Sequence, residues 1–306
     1  MRSSRIILAF SALFCTQLAL ADYRIGVTIA KVDDNFMSYV RNGLQEAAKK
    51  NHVEIQFQDA QGDVVRQLSQ VEDFISQKVD AVIVLPADTA GAVNITRAAT
   101  DAKIPLIYVN RRPDQAELPP GVAAVTSNDV EAGQLQMRYL AQKMGGKGNL
   151  AIIMGDLVNN ATQGRTEGVK QVLKDYPNIK VVGEQTALWQ RDKSMDLTSN
   201  WLLAGTHIDG IVANNDEMAI GAAMALKQAG QKGTLVVGID GLPDGLAAID
   251  EKLLAASVFQ DPKAQADTAI TIAVRMIKGE NVSGDTYVPF QLIKPDQVPL
   301  FAAHFK

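Results

Sequence analysis

Short apolar runs alternate with amphipathic helical stretches along almost the whole chain. The run at residues 23–30 is followed by a helical stretch at 36–50, and a second run at 53–58 is followed by one at 64–77. Alternation of this kind, with short connections, is typical of a parallel sheet that carries helices on both faces. The sequence therefore predicts an α/β fold.

The alternation starts again after Ser127, which indicates two similar α/β lobes. Beyond Gln260 only one helical stretch and one extended segment remain, and they have no complete lobe of their own to join. We therefore expect the chain to cross between the lobes near Ser127, Gln260 and Pro289, since several crossings make a hinge that bends while its register stays fixed. The predicted division is a first lobe of residues 22–126 plus 261–289 and a second lobe of residues 127–260 plus 290–306.

Residues 1–21 have the pattern of a secretory signal peptide. Arg2 and Arg5 precede an apolar run at 6–13, and Ala19-Leu20-Ala21 is a small-x-small cleavage site. The run is too short to span a bilayer. We expect an exported, periplasmic protein from which this segment is removed.

The composition of the remaining chain excludes several classes of partner. The 30 Lys and Arg residues include the two of the signal segment, so the exported chain sets 28 basic against 34 acidic residues, a charge of about −6. With no run of like charges, neither nucleic acid nor an anionic membrane is expected as a partner. The only cysteine, Cys15, lies in the signal segment, so we expect no disulfide.

Catalytic and cofactor motifs are missing from the sequence. The three histidines share no helix face, and there is no phosphate-binding glycine loop and no Gly-x-Ser-x-Gly elbow. The acidic pair Asp33/Asp34 is interpreted as a turn before a helix, and Asp216/Glu217 as a helix cap with a first-turn acid. We predict no catalytic residue, no cofactor, no metal site and no enzyme activity.

Three successive strand ends deliver polar side chains. Asn215, Asp240 and Gln260 each follow a short apolar run. The carboxyl ends of parallel strands line one crevice, so these side chains can converge although the sequence separates them. Two amides and a carboxylate suit a neutral polyol.

Two aromatic and two basic residues could complete such a site. Phe36 and Trp189 fall where a helix or a turn begins, and an aromatic plane packs on the C–H face of a sugar or cyclitol ring. Arg111 and Arg165 could each hold two neighbouring hydroxyls, with a carboxylate such as Asp240 offsetting the burial of the guanidinium. The alternative for either arginine is an exposed surface charge.

The three motifs together resemble those of periplasmic sugar-binding proteins of the ribose-binding type. Asn215 opens Asn-Asp-Glu-Met-Ala-Ile-Gly-Ala, Gly238 opens Gly-Ile-Asp-Gly-Leu-Pro-Asp-Gly, and Gln260 follows at the matching spacing. Asn110-Arg111 and Arg165 match in register, and the resemblance covers essentially the whole exported chain. It implies a type I periplasmic binding protein fold: two Rossmann-like lobes, each a parallel sheet flanked by helices, joined by a three-crossover hinge. Such proteins close on one monosaccharide and deliver it to an ABC importer.

By position, the resemblance also implies which residues touch the ligand. The ring would lie between Phe36 and Trp189, and the polar ligands would be Arg111, Arg165, Asn215, Asp240 and Gln260. Three positions depart from the ribose pattern: Asp34 replaces an asparagine, Asn110 an aspartate and Met37 a second phenylalanine. An acid and an amide have exchanged places, so we expect a ligand other than ribose.

The stretches 108–114 and 155–160 are similar to those of inositol- and rhizopine-type members, which makes myo-inositol the leading expectation. Ribose or another pentose or hexose in the same role is the alternative. An exported enzyme that uses Asp34 or Asp240 as acid or base is a weaker rival, because no paired catalytic group is found. A regulator of the LacI type would need a DNA-binding segment in place of the export signal. The expected partners are a membrane permease and, as an open question, a chemoreceptor, with the protein itself a monomer.

Overall fold

The computed structural model describes residues 23–305, so the predicted signal segment lies outside the described residues. The chain begins with four strands and three helices in strict alternation and adds a fifth strand. The bounds are β1 Tyr23–Ile29, α1 Asn35–Lys50, β2 Val53–Asp59, α2 Val64–Ser76, β3 Ala81–Leu85, α3 Ala92–Asp101, β4 Leu106–Asn110 and β5 Val122–Thr126.

The second series has the same alternation and begins with a helix. Its elements are α4 Asp129–Lys143, β6 Lys147–Met154, α5 Asn160–Leu173, β7 Asn178–Thr186, α6 Arg191–Leu203, β8 Gly210–Ala213, α7 Asp216–Gln228, β9 Leu235–Val237, α8 Pro243–Asp250 and β10 Ser257–Phe259. The chain then continues through α9 Pro262–Ile277, β11 Gly284–Tyr287, β12 Gln291–Ile293 and α10 Val298–Ala302.

Two parallel sheets carry the two lobes. The first has six strands in the order β11-β5-β4-β3-β1-β2, and the second has four in the order β7-β6-β8-β9. The central strands β3 and β4 are buried along their whole length, because helices cover both faces of the sheet. The predicted α/β class with two parallel-sheet lobes is confirmed.

The end of the chain differs from the prediction in detail. The single extended segment expected at 287–294 is two strands, of which β11 pairs with β5 of the first sheet and β12 pairs antiparallel with β10. Pro289 lies between them and has no N–H to donate to a ladder. No bounds were predicted from the sequence for helix α8; Pro243 stands in its first turn, where a missing N–H costs nothing.

The strands of the first sheet come from the segments that were expected to form the first lobe. The chain leaves the first sheet after β5, returns to it with β11, and ends beside β10. We retain the boundaries at 126/127, 260/261 and 289/290 as proposed limits of the lobes. Within residues 23–305, no helix is long and apolar enough to cross a membrane.

Each sheet has a hydrophobic core on both faces. In the first lobe, α1 and α9 cover one face and α2 and α3 the other; in the second, α6 and α7 cover one face and α4 and α5 the other. Buried aliphatic side chains dominate these cores, and their removal from water supplies the main driving force for folding. The βα loops of the two lobes are left facing each other, and the candidate site lies there.

Candidate ligand-binding site between the lobes

One small cavity between the lobes brings together all the residues predicted to bind a ligand. Its lining is Asp34, Phe36, Met37, Asn110, Arg111, Ala161, Arg165, Trp189, Asn215, Asp240 and Gln260. Ala161 is the one member that the sequence did not predict. The cavity measures about 20 Å³, room for about one water molecule.

A larger cleft of about 840 Å³ adjoins this cavity. The residues that line both are Asp34, Met37, Arg111, Trp189 and Asn215. A six-membered ring therefore needs the adjoining part of the cleft as well as the inner cavity.

The first lobe contributes the start of α1 and the end of β4. Asp34 is the N-cap of α1, where its Oδ1 accepts a hydrogen bond from the Met37 amide at 3.1 Å. Phe36 and Met37 follow in the first turn and are buried, 6% and 2% exposed. Asn110 ends β4 with φ at 69°, a left-handed conformation that asparagine tolerates better than most residues. This conformation turns the chain so that Arg111 lies at the carboxyl end of β4.

Arg111 is a buried cation whose hydrogen bonds are incomplete. Its Nη1 donates to the Pro86 carbonyl oxygen at 3.0 Å, while its Nε has no partner in the described part of the chain. Burial lowers the pKa of the Arg111 guanidinium, and the carboxyl of Asp34 acts in the opposite direction. Burial likewise raises the pKa of Asp34, against the influence of Arg111. Arg111 therefore retains donor capacity for a ligand.

Arg165 projects from α5 and is held by three protein groups. Its Nε donates to Asp129 Oδ1 at 2.8 Å, its Nη1 to the Asn214 carbonyl oxygen at 2.7 Å and its Nη2 to Gln260 Oε1 at 3.0 Å. The expected partner, Asp240, is more distant, with its Oδ1 3.9 Å from Nη1. Asp240 thus pairs with Arg165 as expected, but Asp129, which the sequence did not indicate, is the nearer carboxylate and accepts the hydrogen bond.

Trp189 lies in the loop between β7 and α6, facing both arginines. The guanidinium carbons of Arg111 and Arg165 are 5.8 and 5.6 Å from its ring centroid, within the range of cation–π attraction. Its indole Nε1 donates to Asn159 Oδ1 at 3.0 Å. Leu188 and Trp189 both have positive φ, 54° and 68°, which is unusual for large residues and marks a strained turn. One aromatic side chain from each lobe, Phe36 and Trp189, thus lines the cavity.

The second lobe adds the three strand ends. Asn215 is the N-cap of α7, and its Oδ1 accepts from the Met218 amide at 2.9 Å. Its Nδ2 donates to the Trp189 carbonyl oxygen at 3.3 Å, which leaves the second hydrogen of this amide for a ligand. Asp240 has φ at 131° and is held by two backbone hydrogen bonds. Its N–H donates to the Val258 carbonyl oxygen, and its backbone carbonyl oxygen accepts from the Gln260 N–H. Asn215, Asp240 and Gln260 converge as predicted.

Asp216 has a different place from the one expected. It is not the cap of α7; its carboxylate is buried and accepts hydrogen bonds from the Gly241 N–H at 2.8 Å and from Ser257 Oγ at 2.6 Å. Burial raises the pKa of Asp216 to about 7, against these hydrogen bonds. A Cβ at Gly238 or Gly245 would lie only 2.1 or 2.0 Å from the carboxylate, so the glycines of this motif make room for Asp216.

Burial also raises the pKa of Asp240 well above its ordinary value; the Arg165 guanidinium opposes this change and the neighbouring Asp216 carboxyl adds to it. The cavity thus combines two guanidiniums, two carboxyl groups and three amides, a set of donors and acceptors suited to several hydroxyls. Among residues 23–305, no cluster of His, Cys, Asp and Glu could hold a metal ion.

The chain belongs to the periplasmic binding proteins. The family model described as a periplasmic binding protein domain matches residues 25–281. The membership confirms the resemblance to sugar-binding proteins of the ribose type and the expectation of a solute-binding protein that is not an enzyme. It also indicates a periplasmic location, binding of a small sugar or cyclitol, and service to an ABC importer.

Relatives of this chain match it over nearly their whole length. A putative rhizopine-binding protein of Rhizobium meliloti is 43% identical over 94% of this chain and 96% of its own. The ribose import binding protein RbsB of Bacillus subtilis is 30% identical over 89% and 87%. A solute-binding protein of an ABC transporter from Bacillus halodurans, solved with bound myo-inositol, is 40% identical with a TM-score of 0.88 and covers 93% of this chain and 99% of its own.

Proposed function

We propose that this protein captures myo-inositol between its lobes and delivers it to an ABC importer. The observation that carries the proposal is the single cavity in which polar side chains of both lobes meet two aromatic rings. A cyclitol has apolar ring faces and an equator of hydroxyls, so it requires both kinds of partner. The relative solved with bound myo-inositol supports this choice of ligand.

The ten residues that we propose as ligand contacts are Asp34, Phe36, Met37, Asn110, Arg111, Arg165, Trp189, Asn215, Asp240 and Gln260. Two of these residues favour a ligand other than ribose. Asp34 and Asn110 reverse the amide and acid of the ribose pattern, so acceptors and donors face the ring in a different order. Ribose remains the alternative, since the Bacillus subtilis ribose import binding protein is 30% identical to this chain.

The test is calorimetric titration of the exported chain with myo-inositol, ribose, xylose, galactose, glucose and allose. We expect a dissociation constant of about 1 μM for myo-inositol, about −8 kcal/mol, and none comparable for ribose. Tight binding of ribose without a response to myo-inositol would discard the proposed ligand and keep the transport role. Silence from all six compounds would overturn the proposed role.

A matched pair of variants links the ligand to its contact. Asp34→Asn restores the residue type of the ribose pattern, and we expect it to weaken binding of myo-inositol at least tenfold. Asp33→Asn removes a neighbouring carboxylate whose side chain is 72% exposed, and we expect the affinity to stay within twofold. Equal effects of the two substitutions would mean that Asp34 does not contact the ring.

Two further features belong to the same proposal. Removal of residues 1–21 on export predicts a mature protein that begins at Asp22, which mass spectrometry of periplasmic material would show. A monomer is expected with and without ligand, and light scattering after size exclusion would show it. Binding of the closed form by a chemoreceptor would be tested by adding the receptor's periplasmic domain with and without myo-inositol.

A further inference from the structure

Three consecutive residues of the second lobe form hydrogen bonds to the first lobe. The Val158 carbonyl oxygen accepts from the Thr89 N–H at 3.2 Å and from Thr89 Oγ1 at 3.1 Å. Asn159 Nδ2 donates to the Ala87 carbonyl oxygen at 3.0 Å. Asn160 Nδ2 donates to the Arg112 carbonyl oxygen at 2.9 Å. These bonds lie between the βα loops, away from the three crossovers, so they exist only while the lobes are together.

Asn159 differs from its two neighbours because it also holds a side chain of the binding site. Its Oδ1 accepts from the Trp189 indole N–H at 3.0 Å, and the residue is 1% exposed. An indole N–H can only donate and a carbonyl oxygen can only accept, so the two partners fix which way the amide points. One amide therefore joins Trp189 of the second lobe to Ala87 of the first.

The indole also packs against the core of the second lobe and faces both arginines. Its ring lies against Gly155, where a Cβ would come within 2.2 Å, so the ring packs directly on the backbone of the loop that leads to Asn159. The turn that carries it is strained at Leu188 and Trp189. A strained turn keeps its conformation only where its surroundings determine it, and the Asn159 amide is one of the groups that do so.

We propose that Asn159 is a positioning residue that fixes the Trp189 indole for ring binding when the lobes close. Separation of the lobes breaks the bond to Ala87 and leaves the amide free to turn away from the indole. Closure restores both bonds together, so placement of the aromatic ring and contact between the lobes depend on each other. The inference rests on the proposed function, since it concerns how that site receives its ligand.

The experiment compares Asn159→Ala and Asn159→Asp with the wild-type protein by calorimetry with myo-inositol. The alanine loses both hydrogen bonds, and the aspartate keeps an acceptor for the indole but sets a carboxylate against the Ala87 oxygen. We expect each variant to bind roughly 10-fold to 100-fold more weakly, since about 1–2 hydrogen bonds are lost. Val158→Ala is the control, because it keeps the backbone carbonyl that Thr89 uses, and we expect it to stay within twofold.

Tryptophan fluorescence gives a readout that a purely structural role would not change. The described chain has two tryptophans, so the spectrum of Trp189→Phe supplies the contribution of Trp201. We expect myo-inositol to change the Trp189 emission in the wild-type protein and in Val158→Ala, and to change it less in Asn159→Ala. In the Trp189→Phe background, which has no indole N–H, Asn159→Ala should weaken binding less than it does in the wild type.

The outcomes separate the inference from the proposed function. Asn159→Ala and Asn159→Asp that bind within twofold of the wild type, with an unchanged Trp189 signal, would overturn the inference alone. A wild-type protein that responds to none of the six sugars and cyclitols would overturn the proposed function and this inference with it. If Asn159→Ala has a lowered melting temperature, the folded Asn159→Asp variant and the double-mutant comparison decide the question.

Discussion

Arg165 Nε lies 2.8 Å from Asp129 Oδ1 where the chain enters the second lobe, and the two side chains are only 5% and 17% exposed. These side chains come from α4 and α5, which pack closely. Gly133 of α4 makes the close approach possible, since a Cβ there would lie 1.9 Å from the Arg165 carbonyl oxygen. The same guanidinium reaches Gln260 at the second crossover, and its carbon lies 5.7 Å from the ring of Phe290 at the third. Arg165 thus lies close to the second-lobe side of all three proposed crossovers, with Asp129 as its nearest carboxylate.

Removal of Asp129 should leave the buried Arg165 guanidinium without its nearest carboxylate. We expect Asp129→Ala to lower the free energy of unfolding by about 3 kcal/mol and to weaken ligand binding, although Asp129 does not line the cavity. Urea denaturation and calorimetry would measure the two effects. Glu131→Ala, an exposed acid in the same helical turn, is the control and should change stability by less than about 0.5 kcal/mol. Similar losses in the two variants would contradict the role given to Asp129.

We expect Arg111 to contribute to ligand binding and to lower the stability of the ligand-free protein. No carboxylate among the described residues lies within 4.0 Å of its guanidinium, and its Nε is unpartnered there. Replacement of a buried charge by an apolar side chain of similar volume is often neutral or stabilising by about 1–4 kcal/mol. We therefore expect Arg111→Met to raise the melting temperature of the ligand-free protein while it weakens binding by about 2–5 kcal/mol.

The control for Arg111 is the next residue. Arg112 is 25% exposed, pairs with Asp285 at 3.4 Å and lines neither the cavity nor the cleft. We expect Arg112→Met to leave the affinity within twofold. A melting temperature that falls in Arg111→Met would show that the guanidinium is stabilised by groups other than a ligand.

Trp189 should matter for binding more than for folding. It is half-buried, and its ring faces the cleft and the two arginines. We expect Trp189→Ala to weaken binding by about 1–3 kcal/mol through lost packing on the ring. The other tryptophan, Trp201, packs in the second lobe's core, so Trp201→Phe should lower the melting temperature and leave the affinity unchanged. Unchanged affinity in Trp189→Ala, measured by calorimetry, would mean that the site is misplaced.

The sequence predicts the convergence of the site because periodicity determines where each strand ends. Asn215, Asp240 and Gln260 follow three strands that are parallel or bridged in parallel, and the carboxyl ends of such strands share one edge. Arg165 and Trp189 are on a helix and in a loop, so their places depended on resemblance to a family. The pattern of apolar residues does not specify how two helices pack, so the sequence could not show that Asp129 of α4 pairs with Arg165 of α5.

Asn159 and Asp216 were missed for a different reason. Both stand beside helix starts, where capping is the usual explanation of a polar side chain. Asn159 instead bonds across the cleft, and Asp216 is turned inward beneath the glycine-rich loop. For Asp216, the glycines at 238, 241 and 245 could have indicated the buried carboxylate, because close approach to the backbone is a common reason for glycine in such a loop.

The buried carboxyl of Asp216 should make stability depend on pH. The pKa of this group is about 7 in the folded protein and 3.8 as the ordinary value. Between these values the folded chain binds more protons than the unfolded chain, so the free energy of unfolding falls as the pH rises from about 4 to about 7. Below this window both states are protonated, and above it the loss is complete.

Asp216→Asn should remove this part of the pH dependence. Asparagine keeps an oxygen acceptor for the Gly241 N–H, and its amide can donate to the Ser257 hydroxyl, which both donates and accepts. We expect the wild-type protein to lose stability between pH 4.5 and pH 7.5 more steeply than the variant, by roughly 1 kcal/mol or more over the window. Urea denaturation at several pH values would measure the slopes. Asp33→Asn, which removes an exposed acid, should keep the wild-type slope. Parallel curves for Asp216→Asn and the wild type would show that Asp216 stays ionised in the fold, held by the Gly241 N–H and the Ser257 hydroxyl.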